Sequence, residues 1–221
     1  MARYGAGPPP RVFGPGLLIV SQLVSFRKPA SVVVSGLQPA TLGRLRLNVF
    51  TIRRYPDPVL TTPAQPVTEF GPRLAQIVEE MFLTMYSERG VGLAAPQVGI
   101  SKRIYVLNCE EDQPKDGELA LINPEVISIE GEQYSDEGCL SFPGLFAKKR
   151  RPMRVTMRAQ DVDGNWFEVT GEGLKARALL HELDHLEGKV FVQDLEPVEF
   201  VKIRKKLELM KREAKRAKAR A

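Results

Sequence analysis

The chain contains only two histidines, which stand four residues apart in the segment His181-Glu182-Leu183-Asp184-His185. Residues at this spacing lie on one face of a helix, so both imidazoles can bind a single metal ion. Glu182, next to one of the histidines, is placed to act as a general base on water. Because a catalytic metal site needs a third protein ligand, the fold must bring another donor to this helix face.

The residues alone leave the third ligand open between two cysteines and a carboxylate. A third histidine at the position usual in zinc proteases is absent, since that position holds Phe191. Cys109 precedes three acidic residues, and negative charge raises a thiol pKa and disfavours the metal-binding thiolate. Cys139 follows Gly138, which allows close approach of the backbone. A downstream acid such as Glu208 would instead make the protein a zinc peptidase.

The net charge of +5 is distributed unevenly along the 221 residues. Residues 1–56 carry eight basic and no acidic side chains, residues 57–201 carry 14 basic and 25 acidic, and residues 202–221 carry ten basic and two acidic. The basic pI thus reflects two basic ends on an acidic body and does not by itself indicate nucleic-acid binding. Two cysteines exclude a disulfide scaffold, and no apolar run reaches bilayer length.

Residues 1–48 differ from the remainder and are predicted to carry no chemistry. They are rich in Gly, Pro, Ser and Arg and lack acids, which fits a mis-assigned start near Val49, an organellar transit peptide or a genuine extension. Residues 49–221 are predicted to form one catalytic domain that ends in a basic helix over about residues 198–219. We expect a bacterial cytoplasmic protein, with a plastid or mitochondrion as the alternative if residues 1–48 form a transit peptide.

Helix and strand patterns follow one another in the body without a repeated βαβ order. Apolar residues at helical spacing predict helices after Pro72, over 174–187 and along the C-terminal segment that carries Phe200, Ile203, Leu207 and Met210. Strands are predicted at 103–107, 120–129, 155–161 and 166–169, the last two as a hairpin. The order favours an α+β fold in which antiparallel β-sheets pack around a central H-E-x-x-H helix, with one helix on its N-terminal side and a C-terminal amphipathic helix.

The glycine-rich segment at 90–99 is not a nucleotide-binding motif. It begins like a dinucleotide fingerprint, but that fingerprint needs a strand before it and a helix after it, whereas here a helix precedes and Pro96 follows. Gly99 is followed by Ile100 instead of the lysine of a phosphate loop. The segment is therefore either part of a site, with Gln97 as its one amide side chain, or a plain turn into the next strand.

Three segments together resemble the signature motifs of peptide deformylases. They are GVGLAAPQVG at 90–99, EGCLSFPG at 137–144 and HELDHLEG at 181–188, in the order and spacing of that family. The resemblance runs from near residue 50 to the C-terminus. It implies a metal-dependent hydrolase that removes the formyl group from the N-terminal formyl-methionine of newly synthesised polypeptides and releases formate.

The resemblance also implies roles for individual residues and the nature of the ion. The matching residues are Cys139, His181 and His185 for the metal, Glu182 for the general base and acid, Gln97 and the backbone N–H of Leu140 for the oxyanion, and Gly92 and Gly138 for the substrate backbone. The ion implied is Fe²⁺, which Zn²⁺, Ni²⁺ or Co²⁺ can replace, because imidazole and thiolate ligands suit all of them.

The implied partners are nascent formyl-Met polypeptides, with no membrane and no specific DNA. The C-terminal helix is basic outside its apolar stripe, and a second basic cluster comprises Lys148, Lys149, Arg150, Arg151, Arg154 and Arg158. Such charge is either a solvated surface or a docking surface for the ribosome, which related bacterial enzymes contact through their C-terminal helix. A non-catalytic ribosome- or RNA-binding protein is the other alternative, although its vestigial site would have no need of Glu182, Gln97 or Cys139.

Overall fold

The computed structural model describes residues 47–110 and 117–220. Over these residues it contains three α-helices and seven β-strands, which confirms the predicted α+β class. The bounds are α1 Pro72–Ser87, β1 Gly92–Ala94, β2 Ile104–Leu107, β3 Leu119–Glu130, β4 Gln133–Gly138, β5 Phe146–Arg151, β6 Arg154–Gln160, β7 Trp166–Glu172, α2 Leu174–Leu186 and α3 Pro197–Lys218. Apart from its last two residues, the predicted extension 1–48 lies outside the described residues.

The strands form two antiparallel sheets. The larger has the order β1-β2-β3-β6-β7, and the smaller pairs β4 with β5. The predicted hairpin is confirmed, since β6 and β7 pair in register around a turn in which Gly164 has φ +89°. The Asn-Pro pair interrupts β3 only locally: Asn123 has φ +50° and the register shifts there against β6. Neither strand of the smaller sheet is predicted from the sequence.

The three helices follow their predicted apolar patterns. Helix α1 begins at Pro72, which supplies the fixed φ of a first helical position. Its buried face packs on β1 and β2. Helix α2 packs against four strands of the larger sheet and against β5 of the smaller one. Helix α3 buries Ile203 and Leu207, whereas Phe200, predicted on the same face, is 42% exposed. No helix of the described residues has the length and apolarity needed to cross a bilayer.

The predicted basic cluster is not one surface patch. Along β5 the side chains alternate, so that Lys149 and Arg151 are buried while Lys148 and Arg150 are exposed. The inward pair meets acidic partners, with Lys149 lying 3.5 Å and Arg151 2.8 Å from Asp184. A strand exposes alternate residues to opposite faces, which divides a continuous basic run into two environments.

We expect Gly188→Ala to destabilise the fold more than Gly173→Ala. Gly188 ends α2 with φ +70°, and a Cβ there would lie 2.8 Å from the backbone N of Pro63. Gly173 also has a positive φ, +53°, but its Cβ would meet nothing within 4 Å. The first change should therefore cost about 2–4 kcal/mol and the second only about 1–2 kcal/mol of backbone strain. Urea unfolding of both variants measures the difference, and equal losses would contradict the expected clash.

Candidate metal centre

Three buried side chains converge where the smaller sheet meets α2. His181 and His185 project from one face of α2, and Cys139 directly follows β4. Their ligand atoms all lie within 4.8 Å of one another, and the Cys139 Sγ is 3.2 Å from the His185 Nε2. One sulfur and two imidazole nitrogens are the donors of Zn²⁺ and Fe²⁺ sites, and three protein ligands leave a coordination position open for substrate. The residues present therefore fit a metal ion.

The ring of His181 is oriented by a buried carboxylate. Its Nδ1 lies 2.8 Å from Glu137 Oε1, an arrangement that fixes the tautomer and leaves Nε2 free for an ion. Although burial acts to lower the pKa of His181, the neighbouring Cys139 sulfur and Glu137 raise it well above the usual range. Both groups favour positive charge at this position, and a bound cation would supply it. The Nδ1 of His185 is buried without a hydrogen-bond partner among the described residues.

Two arginines hold Glu137 in its ionised form. Arg151 donates through Nε at 3.0 Å and through a second nitrogen at 2.6 Å, and Arg177 donates at 3.0 Å. Burial acts to raise the pKa of Glu137, but the hydrogen bonds and charges of His181 and Arg151 hold it well below its usual range. The carboxylate thus stays charged at neutral pH and is a fixed acceptor for the His181 ring.

Glu182 lies beside the glycine-rich segment, with its carboxylate filling the space that a side chain at position 92 would occupy. A Cβ on Gly92 would come 2.4 Å from Glu182 Oε1. Burial raises the pKa of Glu182 to about 7. Its Oε2 has no hydrogen-bond partner among the described residues, so this oxygen is free to bind water or substrate. Gly92 is therefore required for the close approach of the carboxylate, independently of any contact with substrate.

Gln97 completes the site from the 3₁₀ turn that follows β1. Its side chain is buried, with Nε2 lying 3.4 Å from Cys139 Sγ and 3.3 Å from Ser141 Oγ. The glycine next to the cysteine is also constrained, because a Cβ on Gly138 would come 2.4 Å from the Phe146 ring. The three motif segments thus meet at one place, and the glycine-rich segment is more than a plain turn.

Two ligand candidates from the sequence lie elsewhere. Cys109 is partly buried and packs against the apolar core cluster beneath α2, where burial raises its pKa to about 12. Burial therefore raises the pKa of Cys109 more than the neighbouring acids do, although the sequence indicates only the acids. Glu208 is exposed on α3 and is not part of the Cys-His-His cluster. The sequence analysis does not single out Glu137 as a partner of His181, and its one signal is a carboxylate two residues before the cysteine.

Comparison with known proteins agrees with this arrangement. Residues 49–201 match the family described as polypeptide deformylase. The chain is 52% identical over 141 residues to a peptide deformylase of Acidobacterium capsulatum, covering 64% of this chain and 83% of that protein. It is 46% identical over 159 residues to a peptide deformylase of Cellvibrio japonicus, covering 71% and 92% of the two chains.

Solved structures share the fold. A crystal structure of a peptide deformylase from Legionella pneumophila has a TM-score of 0.69 and 43% identity, covering 76% of this chain and 99% of that one. The plant peptide deformylase PDF1B has a TM-score of 0.73 and 36% identity, covering 76% and 92%.

Replacing Glu137 by Gln should weaken metal binding. Gln keeps the size of the side chain but removes the charge that orients His181, and loss of such a partner typically costs about 10–100-fold in metal affinity. Competition for Zn²⁺ against a chromophoric chelator measures the change. The matched control is Glu132→Gln, which removes an exposed ion pair with Arg150 and should leave the affinity unchanged. Unaltered affinity in a folded Glu137→Gln protein would contradict the orienting role.

Proposed function

We propose that Cys139, His181 and His185 hold the metal ion of this chain, which belongs to the peptide deformylase family. Members of this family are metal-dependent hydrolases that remove the N-formyl group of nascent polypeptides. The observation that carries the proposal is the convergence of one sulfur and two imidazoles, all buried, within 4.8 Å. When bound, the ion supplies Lewis-acid activation of water and of the formyl carbonyl. We propose Fe²⁺ as this ion, with Zn²⁺, Ni²⁺ or Co²⁺ as replacements, because the donor set suits all four.

Glu182 is the proposed general base and acid. It accepts a proton from the attacking water and delivers it to the amine that leaves as the formamide C–N bond breaks. Its position supports this role, because it is next in sequence to a ligand, is buried, and keeps one carboxylate oxygen without a partner among the described residues. The Glu182 carboxylate lies against Gly92, in the glycine-rich segment that is proposed to bind the substrate backbone.

Gln97 and the backbone N–H of Leu140 are the proposed donors to the formyl oxygen. Negative charge develops on this oxygen as the carbonyl carbon becomes tetrahedral, and donors fixed in advance stabilise that charge. The position of Gln97 Nε2 beside Cys139 supports the assignment, since Leu140 is the next residue. Gly92 and Gly138 are proposed to bind the substrate backbone.

The Glu182→Gln variant should keep its metal and lose turnover. The amide preserves size but cannot accept the proton, and loss of general acid–base catalysis costs about 10²–10⁴-fold in rate. After anaerobic purification, metal analysis and formate release from a formyl-Met-peptide test the two statements together. Glu187→Gln, an exposed change just past the end of α2, is the control and should retain kcat. A near-normal kcat in Glu182→Gln would show that the base lies elsewhere.

We also propose a domain assignment and a location. Residues 49–221 form the catalytic domain, with 1–48 as an extension, and α2 is its central helix. The family match over 49–201 and the packing of α2 against strands of both sheets support this. The location proposed is the bacterial cytoplasm, on the similarity to bacterial relatives, with a plastid or mitochondrion as the alternative.

The second half of α3 is the proposed ribosome contact. Helix α3 has two parts, since Ile203 and Leu207 are buried, whereas beyond Met210 most residues are exposed and many are basic. An exposed basic helix suits the phosphate backbone of RNA.

Deletion of residues 211–221 should abolish ribosome binding and leave deformylation intact. The deletion begins after Met210, because an earlier end would remove the buried Ile203 and Leu207 and disturb the core. Cosedimentation with ribosomes at low and high salt measures binding, which should fall steeply with salt for the full chain. The formyl-Met-peptide assay is the control for folding, and undiminished cosedimentation of the shortened chain would refute the contact.

A further inference from the structure

The side-chain amide of Gln97 has a defined orientation. The backbone N–H of Ala94, which can only donate, lies 2.8 Å from Gln97 Oε1. The opposite end of the amide is therefore the NH₂ group, and it faces Cys139 and Ser141. Because Gln97 is almost fully buried, water cannot replace these partners easily. The backbone N–H of Ala94 thus sets which end of the Gln97 amide faces the site.

The NH₂ group has two protons, and Ser141 accounts for one of them. The Ser141 hydroxyl is fully buried, and its Oγ accepts from Gln97 Nε2 at 3.3 Å. The planar geometry of the amide then directs the second N–H to Cys139, to whose Sγ, a weak acceptor, it donates a long hydrogen bond of 3.4 Å. We propose that Ser141 is a positioning residue, which occupies one N–H of Gln97 and so keeps the other beside Cys139, from where it turns to the formyl oxygen when substrate binds. This inference rests on the oxyanion role proposed for Gln97.

Backbone contacts from one short segment hold both partners in place. The N–H of Arg53 donates to the carbonyl of Gln97 at 2.7 Å, and the N–H of Tyr55 donates to the carbonyl of Ser141 at 3.0 Å. The Tyr55 ring also stacks on Phe142, the residue after Ser141, at 4.8 Å between ring centroids. The Gln97–Ser141 hydrogen bond thus lies between two main-chain positions that the same segment fixes, so its geometry is preset before substrate binds.

The test compares Ser141→Ala with and without Gln97. In the natural background we expect kcat for a formyl-Met-peptide to fall about tenfold with little change in KM, because the misdirected donor acts on charge that develops in the transition state. In a Gln97→Ala background the same change should cost nothing further, because coupled residues are non-additive. Equal losses in both backgrounds, or no loss in the natural one, would overturn the proposal.

A measurement without turnover makes the test independent of the variant's activity. In the Zn²⁺-loaded protein, one side-chain amide proton of Gln97 should show a nuclear Overhauser effect to the Ser141 β protons, and Ser141→Ala should shift that proton. Absence of this contact would also overturn the proposal. Thr156→Val, which removes a hydroxyl paired with Thr170 across the β6–β7 hairpin, is the control and should retain kcat. If Gln97→Ala itself retained full activity, the oxyanion role of Gln97 would fail, whereas an impaired Gln97→Ala beside an unimpaired Ser141→Ala would reject only the role of Ser141.

Discussion

The Glu137 carboxylate has no exposed surface, and the rest of the site depends on how this charge is compensated. An unpaired carboxylate at such a position would cost several kcal/mol, so the fold must bring cationic and hydrogen-bonding partners to it. They come from two elements: Arg151 from β5, and Arg177 and His181, four residues apart, from one face of α2. The same contacts join the smaller sheet to α2 and orient a proposed metal ligand. Stability and ligand geometry therefore rest on one anion.

This constraint explains why a strongly basic strand lies partly in the interior. Beside its apolar face, α2 turns polar side chains towards β5, from His181 to Asp184, whose carboxylate meets both Lys149 and Arg151. Acidic groups on a buried helix face need cations at matching positions, and alternate residues of β5 supply them. The exposed residues between them are free to pair at the surface, as Arg150 does with Glu132. Alternate residues of the basic run therefore form ion pairs in the interior and at the surface.

The sequence predicts those parts of the structure that depend on local periodicity. The three helices and the β6–β7 hairpin follow from apolar spacing and turn residues, and the H-E-x-x-H spacing brings two donors together without any tertiary information. The smaller sheet is not predicted, because its inward residues, such as Glu137 and Arg151, are charged and give no apolar alternation. Their pairing spans 14 residues along the chain, and that of Glu137 with His181 spans 44. Such partners become visible only when the sheets are assembled.

The segment before α1 shows a further limit of motif-based reasoning. It contains no signature residues, yet its backbone is bonded in turn to α1 through Phe50, to the glycine-rich segment through Arg53 and to the cysteine segment through Tyr55. The Phe50 N–H donates to the Thr84 hydroxyl, and the other two donate to carbonyls. Because main-chain donors form such bonds whatever side chain they carry, no residue pattern in this segment is needed to encode them. Gln97 and Ser141 are nevertheless spaced by them. The geometry of the proposed oxyanion site is thus set partly by the segment before α1, whose side chains give no sign of this role.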